Sequence, residues 1–378
     1  MRLLKIMILG IVCMSLMLGI VSTGLGVELP SPKQYSTIQE YQRITGKKIL
    51  KLNEAPMLAE LVKQGKLPPL EKRLPEEPAV VEPLEEIGQY GGKMRVAFTG
   101  AGEASEILIQ GLLTAEMYRL GKPIPNIVKD FKASKDQKVF TFYLRKGLKW
   151  SDGEPFTVDD ILFWYEDVIG NKELTPTFPL WLTFGADRTP AKFEKIDDYT
   201  LRIKFAGPKP DFIQRMATTG QREIFMPKHY LRQFHPKYQD PKKLEAMAKE
   251  AKFDFWYQYF WDRNSWTTNP DRPVMFPWKV KVPSPNTPVI LERNPYYWKV
   301  DPAGNQLPYI DSIVIDVVSN AELINIKAMS GDLDFQARHL FLANYPAFME
   351  NRSKGNYRVL RWTRPATAEP MIALNQNA

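Results

Sequence analysis

Residues 139–170 constrain the fold more than any other stretch of the chain. Phe140, Phe142 and Leu144 alternate with Thr141, Tyr143 and Arg145, the period-two pattern of a strand with one buried face. Ser151-Asp152-Gly153 follows and reads as a tight turn, because Gly tolerates positive φ and Asp bonds nearby backbone amides. Thr157 and Asp160 have capping-box spacing, and Val158, Ile161, Leu162, Tyr165, Val168 and Ile169 then form the apolar stripe of a helix ended by Gly170. A strand, a turn and a capped helix within about thirty residues predict a sheet with helices packed on it.

The same logic extends along the chain. Met94, Val96 and Phe98 alternate in a strand that stops at Gly100, Ala101 and Gly102. A helix is expected over residues 107–120, before a Gly-Lys-Pro-Ile-Pro turn. Further strands are predicted at 199–205, 289–293, 313–318 and 357–363, with a helix over 321–329 stopped by Gly331. Strands and helices mix without a strict βαβ rhythm, so the expected sheet is mixed rather than doubly wound. Residues 27–87 differ. Short helices at 35–44 and 57–62 sit among the breakers Gly46, Gly65, Pro68, Pro69, Pro75, Pro78 and Pro83, which reads as a wrapping extension with little core of its own.

The N-terminus carries a different kind of signal. Arg2 and Lys5 precede an apolar run over residues 6–21, and small residues Ser22, Gly24 and Gly26 follow it. The run is shorter than the roughly 20 residues a spanning helix needs, so residues 1–26 read as a cleavable secretory signal, with an uncleaved anchor as the alternative. The single cysteine, Cys13, lies inside the run, where lipidation signals do not place it. The mature chain would hold no disulfide, zinc-thiolate site or thiol nucleophile. Without Arg2 and Lys5, 49 of the 51 Lys and Arg remain against 43 Asp and Glu, a net charge of about +6. These charges are interspersed with acids and form no long basic block, so no nucleic-acid partner is expected.

Catalytic and metal motifs are missing from the sequence. It contains no HExxH, EF-hand loop, GxSxG, P-loop or GxGxxG, and its histidines His229, His235 and His339 lack metal-ligand spacing. No cofactor is expected. Asp152, Glu154, Asp159 and Asp160 crowd one turn, but turn and cap chemistry already accounts for them. Phe253, Phe255, Trp256, Tyr257, Tyr259, Phe260, Trp261 and Trp266 fall within fourteen positions, more aromatic surface than one helix stripe buries. Core packing explains most of it, and exposed rings would suit sugar or peptide contacts.

Three segments, in order, resemble the peptide/nickel class (family 5) of ABC-transporter solute-binding proteins. They are residues 140–161, FTFYLRKGLKWSDGEPFTVDDI; residues 291–298, LERNPYYW; and residues 329–335, MSGDLDF. The resemblance runs from about residue 88 to the end. It implies an α/β (mixed α+β), type II periplasmic-binding-protein fold of two lobes that close on a ligand. By analogy residues 88–113 begin domain I, 114–215 form an inserted domain II, and 216–378 return to domain I. Two departures stand out. Residues 268–278, TNPDRPVMFPW, replace the Gly-Thr-Gly-Pro-Tyr-like turn common in the family, and ALNQNA at 373–378 resembles the strand that crosses into domain III. A truncated chain, with that second lobe largely missing, is therefore expected.

The function implied is that of a periplasmic binding component, a monomer that captures an oligopeptide and delivers it to the membrane permease of an ABC importer. An oligosaccharide ligand is the close alternative. The loops expected to face the cleft supply Gly102 and Glu103, Phe178 and Trp181, Thr219 and Gln221, and Ala368 and Glu369 as candidate ligand contacts. Glu103 would pair with a ligand amine or accept a sugar hydroxyl. Two rivals remain: an exported glycosidase or esterase, for which no carboxylate pair or nucleophile is found, and a fragment that binds nothing.

Overall fold

The strand, turn and helix predicted around residue 150 all form, and they organise the largest core of the protein. The computed structural model describes residues 33–104, 113–115, 122–218 and 224–360. The Val139–Leu144 strand lies inside a four-stranded antiparallel sheet, ordered Lys192–Asp197, Thr200–Lys204, Val139–Leu144 and Val128–Ala133. Register sets Phe140 opposite Ile203 and Phe142 opposite Leu201, so one face of the sheet is apolar and buried. Burying each such phenylalanine stabilises the fold by about 1.5–3 kcal/mol before cavity effects.

The turn closes as predicted. Gly153 sits at φ +98° and donates its amide to the Trp150 carbonyl, while Asp152 accepts from the Glu154 amide. A β-carbon at Gly153 would press against the Tyr296 hydroxyl at 2.7 Å, so both conformation and space call for glycine. Thr157 accepts from the Asp159 amide and Asp160 accepts from the Thr157 amide, completing the capping box. The helix beyond departs from the prediction. It is α over Val158–Leu162 and then π over Phe163–Val168. The wider turn brings Phe163 and Trp164 into the core together with Val158, Ile161 and Val168, a face too broad for a regular α-helix.

A second four-stranded sheet, ordered Trp278–Val282, Val289–Arg293, Ser312–Val317 and Lys93–Phe98, confirms the mixed topology. Its first two pairings are antiparallel, and the Ser312–Val317 and Lys93–Phe98 strands run parallel. Val96, Phe98, Val280, Val289, Leu291, Ile313 and Ile315 form its core. The Ala321–Ser330 helix follows and stops where expected, with Gly331 left-handed at φ +80°.

Other expectations are corrected. Within the helix expected over 107–120, Leu113–Ala115 is a strand paired with Pro123–Pro125, and the flanking residues lie outside the described ones. The register places Thr114 opposite Ile124, and pairing with this short, proline-flanked extended segment overrides the helical periodicity. Residues 357–360 of the strand expected at 357–363 form no strand, and the remainder lies outside the described residues. Instead, Tyr357 folds back and donates its hydroxyl to the Phe348 carbonyl.

The N-terminal extension is more firmly built in than its prolines suggest. Its helices span Ile38–Thr45 and Pro56–Lys63, and its strands Gln34–Tyr35 and Ala79–Val81 join Lys299–Val300 in a three-stranded sheet. Tyr35, Tyr41, Leu70, Leu74 and Val80 form a small core with Val300. Arg73, fully buried, bonds the carbonyls of Pro68 and Pro295, the Gln306 amide oxygen and the Glu54 carboxylate. Arg145 corrects the strand reading itself. Read as a solvent-side neighbour of Leu144, it is fully buried just beyond the strand.

Candidate functional site

Glu103 is the candidate residue around which the structure gathers a polar cluster. The Lys93–Phe98 strand ends at Thr99, and a 3-10 turn over Ala101–Ala104 carries Gly102, exposed, and Glu103, half-buried. The Thr99 hydroxyl donates to Glu103 Oε1 at 2.7 Å. His339 Nε2 lies 2.9 Å from Oε2, and Arg338 Nε lies 3.5 Å from the same oxygen. Burial would raise the Glu103 pKa, but the hydrogen bonds from Thr99 and His339 outweigh it and hold the carboxyl below its ordinary value. Glu103 is therefore ionised at neutral pH. It is also already partnered, so a ligand amine or hydroxyl would share it with His339 and Arg338 rather than find it vacant.

The residues that meet Glu103 come from a segment running beside the strand edge. Asp334 pairs with Arg95 by side chain at 2.8 and 3.0 Å and accepts the Arg95 amide at 2.7 Å. The Gln336 amide group takes both the N–H and the C=O of Ala97, at 3.1 and 2.9 Å, as a neighbouring strand would. His339 is left-handed at φ +64°, an uncommon conformation for a residue with a β-carbon, and Asn325 of the preceding Ala321–Ser330 helix donates to its carbonyl at 2.8 Å. Sequence reasoning missed Gln336, Arg338, Asn325 and the role of His339. The 329–335 segment, with the helix stop Gly331 and Asp334, signalled the approach to this edge but not the residues beyond it.

The other candidates are not brought to this cluster. Trp181 stacks on Trp164 and Phe212, with ring centroids 6.2 and 6.3 Å apart, and Arg215 lies over its ring. Phe178 meets Tyr165 edge-on at 6.4 Å. Both pack on the core beneath the first four-stranded sheet, a large apolar cluster that explains their positions without a ligand. Thr219, Gln221, Ala368 and Glu369 lie outside the described residues.

The crowded carboxylates and histidines also have structural partners. Asp152 holds His229 at 2.8 Å, Asp159 holds Lys195 at 2.8 Å, and Asp160 accepts from the Lys228 amide as well as from Thr157. Burial lifts the Asp160 pKa to about 6. His235 is buried and bonds the Asp167 carbonyl at 2.9 Å. Among the described residues no group of His, Cys, Asp and Glu could hold a metal ion, and no helix is long and apolar enough to cross a membrane. In the aromatic stretch, Phe260 is buried while Phe255 and Trp261 are exposed.

Comparisons with known proteins fit this architecture. The family model described as "Bacterial extracellular solute-binding proteins, family 5 Middle" matches residues 122–378. The periplasmic alpha-galactoside-binding protein of Rhizobium meliloti is 33% identical over 298 residues, 72% of this chain and 40% of that protein. The periplasmic oligopeptide-binding protein OppA of Escherichia coli is 27% identical over 228 residues, 56% of this chain and 36% of its own. A solved structure of an oligopeptide-binding protein OppA is 41% identical, with a TM-score of 0.81, over 87% of this chain and 52% of that one. The periplasmic binding protein MelB of Agrobacterium fabrum C58, solved in complex with stachyose, is 29% identical with a TM-score of 0.64, over 81% and 46% of the two chains. The chain thus spans about half the length of these solved relatives, and less of the curated ones.

Proposed function

The chain belongs to the bacterial extracellular solute-binding proteins of family 5, and from that premise we propose that it captures a solute outside the cytoplasm for the permease of an ABC importer. The observation that carries this reading is the 41% identity and TM-score of 0.81 to a solved oligopeptide-binding protein. An oligopeptide is accordingly the first solute. Its amino group would share the ionised Glu103 carboxylate with Arg338 and His339, and its backbone would use strand-edge hydrogen bonds. An oligosaccharide is the second, favoured by the 33% identity to an alpha-galactoside-binding protein and the likeness to MelB with stachyose. Sugar hydroxyls would use the same carboxylate.

In this reading residues 1–26 direct export to the periplasm and are removed, and the protein works as a monomer that binds no nucleic acid and turns nothing over. The domain boundaries are those expected by analogy, with 88–113 and 216–378 forming one domain around an insertion at 114–215. The parallel pairing of Lys93–Phe98 with Ser312–Val317 supports a discontinuous domain, and the separate antiparallel sheet within residues 128–204 supports an insertion.

Calorimetry and thermal unfolding against a peptide panel and against raffinose and stachyose test the proposal. A ligand of the native state at one hundred times its Kd stabilises by about 2.7 kcal/mol. A saturable shift with intact ligand recovered afterwards is expected, and the class that gives it decides between peptide and sugar. Hydrolysis of the ligand, or no shift with either class, would overturn the reading for this chain.

A further inference from the structure

Two buried cations lie close to one tryptophan beneath the N-terminal extension, and this arrangement goes beyond the proposed function and rests on none of it. Trp298 is buried, with the Arg145 guanidinium 4.9 Å from its ring and the Lys299 ammonium also 4.9 Å from it. Arg145 spends its donors on backbone carbonyls: Asn126 and Val128 of the body, and Ser36 and Glu77 of the extension. Lys299 Nζ donates to Gln34 Oε1 at 2.7 Å, and the Gln34 amide nitrogen donates in turn to the Pro125 carbonyl. Each cation therefore ties the extension to the body.

The charged and titratable groups around them are few. From the extension, Glu77 gives its carboxylate to Lys129 at 2.6 Å, Glu82 accepts from the Tyr35 hydroxyl, and Glu40 accepts the Ser36 amide. From the body, Arg145 is the cation nearest Lys299, and the neighbouring phenol of Tyr297 is buried and held protonated. None of the hydrogen bonds formed by Lys299 or Arg145 among the described residues ends on a carboxylate. An ammonium at Lys299 is thus desolvated and repelled by a second cation, with the Gln34 oxygen and the Trp298 ring, but no hydrogen-bonded carboxylate among the described residues, to offset this.

We propose that residues 33–82 form a strap whose closure over Trp298 is set by the charge on Lys299: the neutral amine holds it shut, and the ammonium loosens it. Opening the strap removes Gln34 and the Ala79–Val81 strand from Lys299 and lets water reach the amine. Burial and then Arg145 push the Lys299 pKa down from 10.5 to about 7 when the strap is closed. The open form binds the proton more tightly, so closure weakens as pH falls from 10.5 towards 7 and changes little below that. Between pH 7 and pH 9 the closed-to-open ratio should rise roughly 50-fold.

Hydrogen exchange of the whole chain, corrected for intrinsic rates, tests this at pH 7, 8 and 9 and in low urea. Strap amides in residues 33–82 should exchange through a smaller opening than those of Val139–Leu144, with a shallower urea dependence, and gain roughly 50-fold protection from pH 7 to 9. Lys299→Met should remove the pH dependence and leave the strap tighter at pH 7. If it does not fold, the equally uncharged Lys299→Gln serves. Strap protection that is independent of pH in the wild type, or that matches the 139–144 strand in size and urea slope, overturns the proposal. So does an unchanged pH dependence in the uncharged variant.

Discussion

Two regions of this molecule hold a peripheral segment against a sheet, and they do it by opposite means. At the strap, Arg145 is fully buried and satisfies its guanidinium on carbonyls from four residues. At the Lys93–Phe98 edge, Arg95 and Asp334 form a paired fork whose side chains are 50% and 39% exposed. The first removes a cation from water and recovers the cost only because every arm of the fork finds an oxygen. The second leaves both charges wet, where attraction is screened and side-chain ordering offsets it. Similar chemistry on paper therefore gives one buried fastening and one exposed, weaker one.

The comparison breaks most readily at Arg145. Arg145→Ala leaves several buried carbonyls unpaired and should cost about 4 kcal/mol, read as a lowered midpoint in urea unfolding. A loss below about 1 kcal/mol would show that water replaces the guanidinium and that the two fastenings are alike. Next comes pH. Lys299 has a depressed pKa in the folded state, so the unfolded chain binds more protons between pH 7 and 10.5, and stability rises with pH across that window. From pH 7 to 9 the gain should be about 2 kcal/mol, absent in Lys299→Met, whereas the Arg95–Asp334 pair stays fully charged and contributes no slope.

A local device calibrates the scale between them. Thr157→Ala removes one side-chain acceptor from the start of the Val158–Leu162 helix and should cost about 1 kcal/mol by chemical denaturation. The smallest effect belongs to the exposed fork. Arg95→Ala should change stability by roughly 0.2–1 kcal/mol and lose even that in molar salt. A larger, salt-resistant loss would mean that the edge is sealed by something beyond the pair.

What could be read ahead of the structure follows the range of the interactions involved. The 140–170 unit was legible because its strand period, its Asp-Gly turn and its Thr157–Asp160 box are all decided within a few residues. The Ser312–Val317 strand and the helix ended by Gly331 were legible for the same reason. The π-turn over Phe163–Val168 was not; it lies where Trp164 meets Trp181 and Phe193, contacts between segments that the local period of the helix does not register. At the candidate site, Gly102 and Glu103 were proposed from a strand ending in glycines, and the structure sets Glu103 in a polar cluster there. Gln336, Arg338 and His339 lie more than 230 residues away and carry no motif of their own. Phe178 and Trp181 pack, partly buried, against the protein's own core, and in sequence an aromatic ring in a loop looks alike whether it faces a cleft or that core.

The clearest division runs through Arg145. The strand that leads to it and the turn beyond are written in the residue order, since backbone propensity and side-chain period are local quantities. The family was legible too, because its three signature segments, 140–161, 291–298 and 329–335, are each short and local. That Arg145 is buried rather than solvated follows from the packing of distant segments around it. Its partners are carbonyls 17 to 109 residues away, a chemical group every residue carries, and so they leave no trace in the order of side chains.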